Sequence, residues 1–417
     1  MNDRLVRTSV TLVASLVLGA CTATAQFGSS PSTQLSTSSV PPAATTPALT
    51  PTPSESPILT VPPSAIRSLA IGSPLAVEGS KVFVETGPPN GGTAGQVSTL
   101  QVGDLATGMI TTVATLEAGR SIAALSATPD RLVWVETWRT GTATDCNGVV
   151  PCCPSQGKPL QWQVVGFDPT SQVRQVLASG TNTRIAVQEE CADVNPPVLA
   201  ADSDRVAYTL EATTPTAPFG NEIVVRSLAA GSIVRSVKTA GFVPWLGLTG
   251  TALVYRETLG AQLDGGTVQD ARLMLATTDD QVPNLVDDHA WSAAVDQDAL
   301  VWGRTDATDA SIWSMSISTG VRIHVPGPAT SAFQHEGDPG SWWVSVSGLH
   351  AAWVSSGSVN GGAQSAIPFL WIAGESTAQL VVLPTAIDGL FASDGWLIWE
   401  DDTGAAMHGV DVTSLGS

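Results

Sequence analysis

Seven times along this chain the same phrase returns: a short apolar run, a polar turn, and a second apolar run centred on an aromatic. It reads PLAVEGSKVFVET at its first occurrence, IAALSATPDRLVWVET at its second and IDGLFASDGWLIWED at its last. The aligned aromatics are Phe83, Trp134, Tyr208, Tyr255, Trp302, Trp353 and Trp399, so the steps are 51, 74, 47, 47, 51 and 46 residues. Within each unit the apolar residues alternate as in strands, and a self-similar period of roughly 40–50 residues with that alternation builds the blades of a β-propeller.

Between successive phrases lies a second strand pair, for example STLQVGDLATGMITTVATL and NEIVVRSLAAGSIVRSVKT. Each has about six alternating residues, a polar or Gly-bearing turn, and about six more. With strands named A to D, each blade is a four-stranded antiparallel meander. The seventh phrase is followed only by AAMHGVDVTSL, so the last blade lacks its outer strand. The segment ILTVPPSAIRSLAI (58–71) precedes the first phrase and can supply it, closing the ring and covering an open sheet edge. The expected fold is therefore all-β, a seven-bladed propeller closed by an N-terminal strand, or six-bladed if the first blade is degenerate.

Antiparallel order sends the A–B and C–D turns to one face and the B–C and D–A loops to the other. The first set is short (EGS, PD, SD, ASDG), whereas the second is long, at 87–96, 138–159, 212–220, 258–269 and 356–365. Function on a rigid scaffold concentrates in long loops, which selects the second face.

The amino terminus bears on location. Arg4 and Arg7 precede an apolar stretch from Val10 to Leu18, too short to span a bilayer, and the stretch ends in Leu18-Gly19-Ala20-Cys21. That order resembles the bacterial lipobox, which implies that 1–20 is a lipoprotein signal peptide and that Cys21 is the lipidated first residue of an extracytoplasmic protein. Acyl chains contribute about 0.8 kcal/mol per buried methylene, enough to anchor without a transmembrane helix. Residues 21–57 are rich in Ser, Thr, Pro and Ala, too poor in large apolar groups to offset their ordering entropy, and read as a disordered tether. The propeller occupies 58–417.

Acidic residues outnumber basic ones 37 to 18, a net charge of −19 that argues against nucleic acid and keeps an exported chain soluble as a monomer. Besides Cys21 there are four cysteines, Cys146, Cys152, Cys153 and Cys191, an even number that suits two disulfides in an exported protein. Cys152 and Cys153 are adjacent and poorly placed to pair with each other. The spacing lacks the C-x2-C pairs and histidines of a zinc site.

The PD, SD and SDG turns ahead of an aromatic-bearing strand resemble the repeat of TolB-type propellers, also called PD40 or WD40-like repeats. The resemblance covers the short repeat alone and implies fold and cell-envelope location. The domain that precedes the propeller in TolB is replaced by the Ser/Thr/Pro tether, so no Tol-system role is carried over.

Nucleophile elbows, HExxH, P-loop and EF-hand patterns are absent from the sequence, and no catalytic residue or resident cofactor is expected. Polar groups gather instead in the D–A connections: Glu189, Glu190 and Asp193; Asp287, Asp288 and His289; His335, Glu336 and Asp338. Carboxylate and imidazole groups at a channel mouth suit a divalent cation such as calcium, or acid–base chemistry. Acidic loops are also what an acidic exported protein carries in any case. Trp245, Trp291, Trp342 and Trp343 precede the aligned aromatics by ten or eleven residues. Indoles there suit sugar rings or a peptide segment, and equally serve as wedges between blades. The expected function is a membrane-anchored platform for a protein, peptide or glycan, with a carbohydrate-active hydrolase or lyase using channel carboxylates as the alternative.

Overall fold

The computed structural model describes residues 57–87, 97–139, 159–183, 194–212, 220–250, 252–259, 271–277, 282–305, 310–329, 344–358, 364–376, 378–385, 387–401 and 403–415. Cys21, the 1–20 segment and the tether lie outside these residues, as do Cys146, Cys152, Cys153 and Cys191.

Two short strands open the fold, β1 (Ile58–Thr60) and β2 (Arg67–Leu69). Blade one follows as β3 (Ala76–Glu78), β4 (Lys81–Thr86), β5 (Thr99–Asp104) and β6 (Met109–Thr115). Blade two is β7 (Ser121–Ala127), β8 (Leu132–Arg139), β9 (Leu160–Asp168) and β10 (Val173–Asn182). Blade three is β11 (Leu199–Ala201), β12 (Arg205–Glu211), β13 (Asn221–Ser227) and β14 (Ile233–Lys238). Blade four is β15 (Phe242–Thr249), β16 (Ala252–Thr258), β17 (Ala271–Ala276) and β18 (Asn284–Asp287). Blade five is β19 (Ala290–Asp296), β20 (Ala299–Thr305), β21 (Ala310–Ser316) and β22 (Arg322–Ala329). Blade six is β23 (Val344–Ser347), β24 (His350–Ser358), β25 (Gln364–Ile372) and β26 (Gln379–Val382). The last blade has β27 (Ile387–Ser393), β28 (Trp396–Asp401) and β29 (Met407–Asp411), and β2 completes it as the outer strand. The chain is a seven-bladed β-propeller.

The closure takes only the second half of the 58–71 segment. Arg67, Ser68 and Leu69 pair antiparallel with Gly409, His408 and Met407. The first half goes elsewhere: Ile58, Leu59 and Thr60 run parallel to Leu380, Val381 and Val382 and give blade six a fifth strand. Val61-Pro62-Pro63 and a turn of 3-10 helix at Pro63–Ala65 separate the two strands, since proline cannot continue a ladder.

The repeated aromatics explain why the ring forms. All seven are buried, and each sits on the B strand of its blade, in one of the clusters that bond neighbouring blades. Phe83 and Trp134 share a cluster between blades one and two, and Tyr208 joins Trp162 and Val135 between two and three. The series continues with Tyr255, Trp302, Trp353 and Trp399 through blades three to seven. Leu69 and Ile71 then pack with Val82, Leu105, Ile398 and Met407, closing blade seven onto blade one. A large flat ring fills the wedge between two twisted sheets with few rotamers to lose, which suits an aromatic to this position in all seven blades.

The A–B turns are tight where the sequence places them. Asp394 and Gly395 both take positive φ, 40° and 80°, the type I′ geometry that matches strand twist.

Candidate functional site

The inner strands β7, β11, β15, β19 and β23 wall a central cavity of about 290 Å³. Leu125, Leu199, Val295 and Val346 stand along it with Trp245, Ser126 and Ser345, and the surface it presents is more polar than apolar. Its hydroxyls are already engaged. Ser126 Oγ accepts from the Ala201 amide at 3.1 Å, and Ser345 Oγ accepts from the Ala392 amide at 2.6 Å.

Those two bonds belong to a ring of latches, each joining a side chain of one blade to the backbone of the next. Arg205 donates to the Gly250 carbonyl, and Thr249 Oγ1 to the Gln297 carbonyl at 2.7 Å. The Gly348 amide donates to Asp296 at 2.7 Å, and the Gly79 amide to Ser393 Oγ at 2.8 Å. Blades one and two are joined from the other end, where the Ile122 amide donates to Glu85 Oε2 at 2.8 Å. Each such bond contributes only about 1 kcal/mol, but together they hold every blade junction in register.

The short-turn face also carries carboxyl groups. Burial pushes the Glu78 carboxyl up to about 7, and the carboxylates of Asp394 and Asp296 add to the effect.

On the long-loop face the structure brings Asp287, Asp288 and His289 together, with candidate ligand atoms within 4.8 Å of one another. The three differ in what they do. Asp287 is buried and committed to the fold: its Oδ2 accepts from the Trp302 indole at 3.0 Å and its Oδ1 from the His289 amide at 2.8 Å. It ties the blade-four exit to blade five. Asp288 and His289 are exposed and meet at 2.6 Å between Oδ1 and Nδ1, and this hydrogen bond holds the Asp288 carboxyl below its usual range.

Trp245 and Trp291 stand at β-bulges, where the A strands β15 and β19 slip against their partners. Each indole packs against a glycine. A Cβ at Gly303 would meet the Trp291 ring at 2.3 Å, and one at Gly247 would meet the Trp245 ring at 2.7 Å. Both tryptophans are half-buried against blade-interface clusters. His335, Glu336, Asp338, Trp342, Trp343, Glu189, Glu190 and Asp193 lie outside the described residues.

Two features escape a reading by motif. A glutamate follows the aligned aromatic by two or three residues in four blades, as Glu85, Glu136, Glu211 and Glu257. Three of them accept backbone amides at the corners between blades: Glu85 from Ile122, Glu211 from Thr183 at 3.0 Å and Glu257 from Ala240 at 3.2 Å. Glu136 is wholly buried and accepts from Trp134 Nε1, Arg174 Nη2, Arg120 Nη1 and Gln163 Nε2 at 2.6–3.0 Å. The second feature is Arg256, beside Tyr255 in the fourth phrase. It is 8% exposed, and burial alone lowers its guanidinium to about 10.

No family model matches the chain, and a search of curated proteins finds no match. Solved structures do resemble it. The β-propeller domain of the trilobed protease of Pyrococcus furiosus aligns at 8% identity over 80% of this chain and 91% of that one, with a TM-score of 0.48. Acylaminoacyl peptidase of Pyrococcus horikoshii aligns at 10% identity over 77% of this chain, TM-score 0.48, and the chain spans 47% of that enzyme's length. Oligogalacturonate lyase in complex with manganese aligns at 12% identity over 82% of this chain and all of that one, TM-score 0.47. At these identities and scores none of the three carries an argument about activity.

Proposed function

We propose that this protein is an extracytoplasmic binding platform, held to a membrane through Cys21 and presenting the long-loop face of its propeller to a protein, peptide or glycan. One observation carries the reading. The A–B turns are short and latched to their neighbours around the channel, so that face is fixed, whereas the B–C loops of the same rigid ring leave the opposite face. Recognition elements on a stiff frame lose little entropy when they bind.

The two ends of β19 make a controlled comparison. Asp288 is exposed just before it on the long-loop face, and Asp298 is exposed just after it on the short-turn face. A photo-cross-linking amino acid at position 288 should give adducts in intact cells, while the same group at 298 should give few. Adducts formed equally at both, or at 298 alone, contradict the reading. A soluble Cys21→Ala protein should keep its fold but lose the membrane fraction; retention in the membrane would remove the anchor from the proposal.

A further inference from the structure

Arg256 has the placement of a ligand-binding group. The pairing Trp245↔Arg256, Arg256↔Leu273 and Leu273↔Asp287 sets Trp245, Arg256, Leu273 and Asp287 in one row across blade four. Trp245 walls the central cavity, so Arg256 lies one strand behind that wall. Its Nη1 donates to the Trp291 carbonyl on blade five. Its Nε is buried with no acceptor, and Asp287, two strands along, stands instead 3.6 Å from Arg304. The acid nearest along the row, Asp287, is already taken by the Trp302 indole and the His289 amide. The indole N–H of Trp291 and the hydroxyl of Ser292 are likewise buried without partners.

A buried guanidinium normally sits with a carboxylate, because desolvating it unpaired costs several kcal/mol. A chain with 37 acidic and 18 basic residues offers many partners, yet Arg256 pairs with no carboxylate among the described residues. Charged groups left in this condition concentrate at functional sites. We propose that Arg256 is the anchoring cation for a small organic carboxylate that reaches it from the central cavity past Trp245 and binds through the unused Nε–Nη2 edge in the bidentate manner of guanidinium pairs. The inference deepens the platform reading by naming the chemistry of the bound group. It stands on the isolated protein, so it can fail while the cross-linking result holds, and the reverse.

The test is benzoate against benzamide, its neutral isostere, titrated into the full chain at matched ionic strength and followed by calorimetry and thermal shift. Wild-type protein should bind benzoate and raise its melting temperature, with little response to benzamide. Arg256→Met should weaken benzoate about 10- to 100-fold, the worth of a hydrogen bond to a charged group. Its ligand-free melting temperature should equal or exceed the wild type, because the unpaired charge is gone. Arg256→Lys should bind with intermediate affinity. Equal responses to benzoate and benzamide in the wild type overturn the proposal even if Arg256→Met does not fold. So does undiminished benzoate binding by the folded variant.

Discussion

Replacing Glu136 with alanine should destabilise the protein by about 3–5 kcal/mol, the cost of breaking a buried charge network from one side. The carboxylate is the shared acceptor of two guanidiniums, an indole and an amide, and its side chain is fully buried. Arg120 and Arg174 keep only partial contact with water, at 17% and 33% side-chain exposure, so neither can recover by turning outward without repacking. Arg120 also lies 4.3 Å from the centre of the Trp138 ring and pairs with Glu117, which fixes where its charge must be. Glu136→Gln keeps the shape and half of the accepting capacity and should cost less than alanine. Equilibrium denaturation of the three proteins checks the order. A loss below about 1 kcal/mol for Glu136→Ala would mean that the network contributes no more than a surface pair.

The second large effect concerns the ring closure. Deleting residues 22–56 should leave the melting temperature nearly unchanged, whereas extending the deletion through residue 71 should aggregate the protein or cost most of its stability. Leu69 and Ile71 are each 5% exposed and lie on Gly103 of blade one, where a Cβ would meet their methyls at 2.8 and 3.0 Å. Burial of two such side chains is worth about 3–6 kcal/mol. Losing β2 also uncovers the edge of β29, an invitation to pair with a second chain. Leu69→Ala isolates the packing part and should cost about 2–5 kcal/mol. Equal tolerance of both deletions would refute closure by this strand.

The ring was legible because its determinants are local and repeated. Trp134, Trp302, Trp353 and Trp399 recur at a fixed place within a phrase, and alternation around them assigns the strands. The missing outer strand of blade seven was legible by counting. The fate of Ile58–Thr60 was not, because a three-residue parallel strand is chosen by the free edge of β26, more than 300 residues away, and leaves no pattern of its own. The site was legible in part. Asp287, Asp288 and His289 do meet, but the bond from Trp302 that commits Asp287 to the fold runs to the next blade and has no sequence signature. Arg256 carried a signal that motif reading passes over. Alternation puts it on the face opposite Tyr255, between blades, where a cation is out of place. The repeated acids after the aligned aromatics were likewise visible, and their role follows only once the inter-blade corners are built.

The ring closes through a strand from near the amino end that completes its last blade, and that pairing can be read directly. Ser68 and His408 are register partners in β2 and β29, with Oγ and Nδ1 2.8 Å apart. Cysteines at both positions, in a chain whose other cysteines are mapped separately, should join under mild oxidation. Unreduced peptide mapping should then recover the fragment around residue 68 covalently linked to the fragment around residue 408. Recovery of the two as separate free thiols, under conditions where the protein is folded, would contradict the closed seven-bladed ring.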